Sequence, residues 1–469
     1  MGGEKMARAN KSVHSKNRGA VLILSMIFVV IFSALAVSMA ALSGMNIQIA
    51  NNQRNADRAR ACAESGFDVI RFWLNQVSIP GTTLDADRFN QIAGSLQNEL
   101  TTCCITNIAP FYDGTILTIP SVTLDSSNAS SFSSTIKQLD AETVQVDVTG
   151  TYGSITRTIR ANYNLDERAN NVFDFGVATK GPLSLSGNIE LEGMNVSVEA
   201  SVYIESENSN LALSIIGNSQ IAGDVSIVNP IATVDLQGGQ AGIGGETGQA
   251  AVDNHVSFGV PPSEFPELNP AMFEPYVTSI VDTSTDTSSN ATFENIRIVP
   301  NTNPTFSGHA TLQGVIYIET PNVVKFTGNV DVTGIIVGDG NIEDNSGTNQ
   351  IGFLGNVDSH PVTELPAEAQ FEGLHDLTGT FIIAPGFHLS FGGSFSTLCG
   401  AIAGNGIEFF GSAGGTINGS VINYSIKEMT LSGNSDLLFN RSGLTEVPAG
   451  FEPEIVLDYN PSSYTEVML

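Results

Sequence analysis

Residues 308–334 read GHATLQGVIYIETPNVVKFTGNVDVTG and hold the same pattern twice. Gly308-His309 is followed six positions on by Gly314, and Gly328-Asn329 by Gly334. The spacing of six recurs from Gly187-Asn188 to Gly193 and from Gly217-Asn218 to Gly223, with weaker copies at Gly392-Gly393, Gly411-Ser412 and Gly433-Asn434. The intervals 308 to 328, 392 to 411 and 411 to 433 are 20, 19 and 22 residues. Between these turns apolar and polar residues alternate. Leu183, Leu185, Ile189 and Leu191 interleave with Ser184, Ser186, Glu190 and Glu192, the period-2 signature of a strand with one face inside. Short strands joined by Gly/Asn turns every 20 residues or so are what a β-solenoid requires, because each coil leaves backbone edges that only the next coil satisfies. Asn188, Asn218, Asn329 and Asn434 are expected to stack as one turn ladder. The expected fold is mainly β, with a solenoid over 172–469; a β-sandwich with irregular hairpins is the alternative.

The repeat is interrupted at about 238–304. Residues 238–248 are glycine-rich, Pro261, Pro262, Pro266, Pro270 and Pro275 follow, a short helix is expected over 271–281, and 283–291 is polar.

Charge separates the two ends of the chain. Its 469 residues carry 19 Lys+Arg against 48 Asp+Glu, a formal net charge of −29. Lys5, Arg8, Lys11, Lys16 and Arg18 crowd the first 18 positions. From Val172 onward 34 acidic residues face five basic ones (Lys180, Arg297, Lys325, Lys427, Arg441), so 5 − 34 = −29 resides there alone. Such a surface repels phosphate and excludes a nucleic-acid partner bound through a basic face.

Residues 20–42 read AVLILSMIFVVIFSALAVSMAAL, 23 positions without a charge. A helix of that length spans about 34 Å, enough for a bilayer core. The basic residues before it are expected to stay cytoplasmic, which puts the body on the other side of the inner membrane. Helical spacing continues beyond it. Ala56, Ala59, Ala63, Phe67, Ile70, Leu74 and Val77 form one apolar stripe, and no proline occurs before Pro80. Together 1–19 reads as a basic leader, 20–42 as a membrane helix and 43–79 as its helical stalk, ended at Pro80-Gly81.

In the segment 80–171 a second amphipathic helix is expected over 84–104, with Leu84, Phe89, Ile92, Leu96 and Leu100 on its apolar face and Asp85 or Asp87 near its start. Strands follow at 115–124 and in a hairpin of 143–152 with 154–163 turned at Gly153. These make a small α+β module. The four cysteines, Cys62, Cys103, Cys104 and Cys399, match no zinc spacing. Outside the cytoplasm Cys62 paired with Cys103 or Cys104 would staple the stalk to the second helix; the alternative is a small buried Cys62 in a row of alanines.

The N-terminal region resembles type IV pilin-like proteins, most closely the PilX-type minor pilins. The resemblance rests on Asn17-Arg18-Gly19 before the apolar helix, on Ala50-Asn51-Asn52, and on Ala61-Cys62-Ala63-Glu64-Ser65-Gly66. The hairpin VDVTGTYGSITRTIRANY at 146–163 adds to it. It implies cleavage by a prepilin peptidase between Gly19 and Ala20 and packing of the helix among other pilin-like subunits. One feature departs from the family. Major pilins carry Glu at the fifth mature position, where this chain has Leu24, and no carboxylate occurs between Ala20 and Ala56. The resemblance therefore implies a tip or sparse subunit displaying a surface-contact domain. The alternatives are an unprocessed membrane-tethered adhesin and a glycan-active β-helix enzyme on a stalk.

No histidine pair has metal-ligand spacing and no Ser sits in a Gly-x-Ser-x-Gly elbow, so no enzyme is expected. The stretch GDGNIEDNSG carries Asp339, Asn341, Glu343 and Asp344 at near-alternate positions, an oxygen set suited to Ca²⁺, although the EF-hand spacing fails. Gly19→Leu is expected to block processing. Mass spectrometry of the mature N-terminus should find Ala20 first in the native chain and the leader retained in the variant.

Overall fold

The computed structural model describes residues 18–102, 110–206, 209–344, 346–442 and 447–467. It divides into two compact units. The first comprises Met1–Val77, Asp85–Leu165 and Leu457–Leu469; the second comprises Ser78–Leu84 and Asp166–Val456.

In the first unit, helix α1 (Arg18–Leu74) runs unbroken for 57 residues. Its stripe of Ala56, Ala59, Cys62, Ala63, Phe67, Ile70 and Leu74 is buried, as the spacing predicts. The helix ends before the expected Val77, because Ser78–Pro80 leaves as a short strand paired antiparallel with 454–456. Behind the stripe lies a sheet in the order Glu454–Val467, Ile155–Arg168, Thr143–Tyr152, Ser130–Gln138, Ile116–Asp125, Phe111–Tyr112. The hairpin forms as expected, with Gly153 at φ +60 in its two-residue turn. The strand Ser130–Gln138 escapes the sequence reading, since its serines blur the alternation. Helix α2 (Asp85–Thr102) buries Phe89, Ile92, Ala93, Leu96 and Leu100 and holds Asp85 and Asp87 in its first turn, where carboxylates favour the helix dipole. Leu84, expected on the same face, precedes the helix and is exposed.

The second unit is built of parallel strands in two long sheets. One sheet runs in space through 279–281, 291–298, 310–318, 330–338, 380–384, 401–404 and 421–423. It then continues through 177–179, 202–204, 225–227 and 256–258. The order is the chain order cut after Phe258 and rejoined where Val421–Asn423 pairs with Val177–Thr179. The second sheet closes the same seam: Met429–Phe439 lies on Leu183–Gly193 through eleven consecutive paired positions. Strands of successive chain segments therefore stack in parallel, and the last of them docks on the first.

The cut explains the interruption. Coil strands persist to Val256–Phe258 and resume at Ser279–Val281, so the excursion is 259–278 and not 238–304. Eleven strands at about 4.8 Å leave about 48 Å between the two ends of the stack. The connecting 20 residues reach about 66 Å when extended, enough to cross it. The expected helix over 271–281 is a 3₁₀ segment, Pro270–Tyr276. Phe265 and Phe273 of this strap pack with Tyr203, Val315, Tyr317 and Tyr424 on the sheet's outer face. The sheet is thus apolar on both faces, which is why Val315–Ile318 is buried without alternation. The C-terminal boundary also differs from expectation. The segment Leu457–Leu469 belongs to the first unit, so the β body is an insertion between two strands of the first unit's sheet.

Inside the coils Phe306, Phe326, Phe353, Phe391 and Phe409 occupy paired positions. Their rings stack at 5.0, 5.0, 5.0 and 4.8 Å. Their sequence intervals of 20, 27, 38 and 18 hide the column, because loops of unequal length separate the strands. Asn434, Asn188 and Asn218 do form a ladder through amide hydrogen bonds of 3.0 and 2.9 Å. Asn329 belongs to a different one, with Asn356. The Gly-x₅-Gly motif merges two turns: the first glycine has positive φ at Gly187 and Gly217, the second at Gly314 and Gly334. At Gly187 a Cβ would lie 2.3 Å from the carbonyl oxygen of Gly433, so only glycine permits coils to approach there.

Phe353→Ala removes a ring from the middle of the column and should destabilise the second unit by about 3–5 kcal/mol. Thermal unfolding followed by far-UV circular dichroism checks this.

Candidate functional site

The chemically distinctive surface of the first unit is the first half of α1. Every side chain from Ala20 to Ala50 is exposed, and that stretch has no charged residue. Helix α1 is long and apolar enough to cross a membrane. Among the described residues nothing in the first unit covers this part, whereas the next turns are held tightly. Gly150 on strand Thr143–Tyr152 admits the helix so closely that a Cβ there would lie 2.2 Å from both Ala59 O and Ala63 N. Small residues on both partners, Ala59 and Ala63 against Gly150, create that approach. An aromatic group then fixes the helix: Phe67 packs on Tyr163 (6.5 Å), Tyr459 (5.5 Å) and Tyr464 (6.2 Å). Burial pushes the Tyr163 phenol far above its usual range, and its hydroxyl has no hydrogen-bond partner among the described residues.

Three basic residues of the stalk are engaged within the same unit. Arg58 lies 4.9 Å over the Tyr152 ring, Arg60 pairs with Glu64 (2.9 Å) and Glu466 (3.9 Å), and Arg71 sits over Tyr459 (4.9 Å). The division is clear: the charged side chains Arg58, Arg60 and Arg71 of α1 meet its own sheet, and the uncovered part carries no charge. Leu24 stands within the uncovered part, where a carboxylate would be costly unless paired.

The sequence-predicted sites fare differently. Gly19 and Ala20 lie in the first turn of α1. Cys62 is a buried free thiol whose ionisation burial pushes up, while its expected partners Cys103 and Cys104 fall outside the described residues. Cys399 is half-buried in the second unit and also free.

The Ca²⁺ set is not brought together. Asp339 accepts from the Thr320 N–H at 2.6 Å, Asn341 accepts from Glu343 N at 2.9 Å, and Asp344 accepts from Ser346 N at 2.9 Å. Asn341 and Asp344 each close a local turn while Asp339 reaches the backbone of a residue 19 positions away, and among the described residues no three His, Cys, Asp or Glu side chains converge as metal ligands. Burial raises the Asp339 carboxyl above its usual range.

The aromatic anchoring by the C-terminal Tyr459 and Tyr464 escapes the sequence reading altogether. Its sequence signal is the apolar run Ile455, Val456 and Leu457 followed by Tyr459 after one acidic residue.

No family model and no curated protein matches the chain. Among solved structures, the competence-associated pilin ComZ from Thermus thermophilus is similar at 12% identity and a TM-score of 0.23, over 88% of this chain and 98% of that one. The functional reading therefore rests on the chain's own geometry.

Trp73 is the single tryptophan and lies near the end of α1, so its fluorescence reports the first unit. Gly150→Val should destabilise that unit by about 1–3 kcal/mol through overpacking against α1. Tyr163→Phe, which removes a buried hydroxyl without a partner, should stabilise it by about 1 kcal/mol. Denaturant titrations read at Trp73 should shift in opposite directions for the two variants.

Proposed function

We propose that this chain is a pilin-like structural subunit that anchors through α1 in the inner membrane and packs by the same helix among other pilin-like subunits of a surface fibre. The observation that carries the reading is the division of α1. One continuous helix presents an uncovered, uncharged and largely apolar stretch from Ala20 to Ala50 and then locks onto an antiparallel sheet through Ala59, Ala63 and Gly150. A helix exposed in this way needs lipid or other apolar helices around it. The PilX-like pattern around Ala61-Cys62-Ala63-Glu64-Ser65-Gly66 and the Gly19-Ala20 junction for a prepilin peptidase support the same reading.

Two further features favour few copies, at a tip or scattered along the fibre. Leu24 offers no carboxylate to pair with a neighbour's buried amino terminus. The second unit holds 298 residues, 7 in 78–84 and 291 in 166–456. A body of that size has a radius of gyration of about 19 Å even when compact. Helices only 10–12 Å wide could not bring such bodies side by side at every step of a shaft. The second unit then acts as the displayed surface-contact domain.

Quantitative mass spectrometry of sheared fibres should find the chain at low stoichiometry relative to the principal subunit, with Ala20 as its first residue. Recovery as the most abundant component would contradict the sparse placement. Recovery only in membranes, with the leader intact, would favour a tethered adhesin outside any fibre.

A further inference from the structure

A cleft of about 450 Å³ lies over three neighbouring coils of the second unit and is lined by two rows of polar side chains. Strand alternation creates the rows. Val330, Val357 and Phe395 sit at laterally paired positions, point inward and are buried. Their neighbours on either side therefore point outward. Asn329, Asn356 and Ser394 make one row, and Asp331, Asp358 and Ser396 make the other. Hydrogen bonds fix the groups: Asn356 Nδ2 donates to Asn329 Oδ1 (3.3 Å), and Ser394 Oγ to Asn356 Oδ1 (3.0 Å). Ser396 Oγ donates to Asp358 Oδ1 (2.5 Å), and His309 Nε2 lies 2.9 Å from Asp331 Oδ2.

We infer that this cleft binds an extended neutral polysaccharide laid along the stacking direction, with about one sugar ring to each coil. The lining chemistry selects the class. Amides, serine hydroxyls, an imidazole and two carboxylates offer donors and acceptors together, and no ammonium or guanidinium lines the cleft. A sugar hydroxyl is both donor and acceptor, and toward a carboxylate it forms the stronger, charge-assisted bond. Each polar lining side chain keeps hydrogen-bonding capacity beyond the internal bonds that orient it. Polyanions are rejected by the body's net charge of −29. A cation is not the occupant indicated, because the described residues bring no three acidic, His or Cys side chains together.

Spacing supplies an independent argument. Laterally paired residues repeat at about 4.8 Å, close to the advance of one ring in a β-1,4-linked chain. A ligand lying across the coils thus meets an amide or hydroxyl and a carboxylate or hydroxyl at each step. Asp331 and Asp358 stand on paired strands, and Asn329, Asn356 and Ser394 directly precede the paired positions, their carbonyls accepting from Ala310, Val330 and Val357 N–H of the adjoining coils, which keeps the rows in place before the ligand arrives. This reading stands on the cleft alone and does not require assembly into a fibre.

The test is isothermal titration of the full chain in detergent micelles with β-1,4-linked hexasaccharides of glucose, mannose and N-acetylglucosamine. A hexagalacturonate serves as the charged control. At least one neutral hexasaccharide should bind, and the galacturonate should not. Asn356→Ala and Asp358→Asn should each weaken binding tenfold or more with unchanged melting curves. Should either variant melt early, the exposed Ser396→Ala replaces it, with a several-fold loss expected. The inference is overturned if none of the three neutral hexasaccharides binds, if the galacturonate binds as well as they do, or if the substitutions leave affinity unchanged.

Discussion

The eleven-position pairing of Met429–Phe439 with Leu183–Gly193 is the contact on which the second unit depends. Without it the stack would be two separate pieces, each with a raw edge of unpaired N–H and C=O groups facing water. The seam joins residues about 245 positions apart, so closing it costs chain entropy that no local contact offsets. It succeeds because many weak terms act in register at once. They include the paired backbones, the Asn434–Asn188–Asn218 amide ladder, and Leu431 lying beside Leu185 in the core. A slip of one residue would turn every inward side chain outward, and this penalty specifies the register.

The strap at 259–278 follows from the seam. Once the last coil docks on the first, the chain must pass from one end of the stack to the other, and it does so over the outer face of a sheet. That face carries Tyr203, Val315, Tyr317, Ile335 and Tyr424, which would be an exposed apolar patch without Phe265 and Phe273 above it. The strap's prolines fit this role, since a segment that crosses strands has little use for ladder N–H donors. Tyr424 is buried there with its hydroxyl donating to Pro266 O at 2.6 Å, so even the polar atom under the strap is satisfied.

The first unit follows a different logic. Its helix is held by close backbone approach at Gly150 and by aromatic rings, while its uncovered half relies on surroundings that are not part of the chain. The two halves are opposite in what they demand of their environment, yet no residue breaks the helix between them. Stability of the sheet can therefore hold the stalk rigid without limiting what packs around the apolar end. The β body enters this unit's chain as an insertion between two of its strands.

Periodicity alone determined much of this. The stripe from Ala56 to Leu74, the helix face of Phe89, Ile92, Leu96 and Leu100, the hairpin at Gly153 and the alternation at Leu183–Leu191 are local patterns, and burial follows them. The uncharged run from Ala20 to Leu42 was equally legible, because composition alone makes a span. Tertiary structure decided everything that depends on which local pieces meet. Equal Gly-x₅-Gly spacings became two different turns, and Asn329 joined Asn356 instead of Asn188. The phenylalanine column formed across intervals of 20, 27, 38 and 18 residues that no period predicts. Asp339, Asn341 and Asp344, close together in the chain, turned away into separate hydrogen bonds. The physical reason is common to all four: a repeat specifies the shape of one coil, but every coil offers nearly the same edge. Only side-chain fit across the whole stack selects the neighbour, and that fit places the last coil against the first.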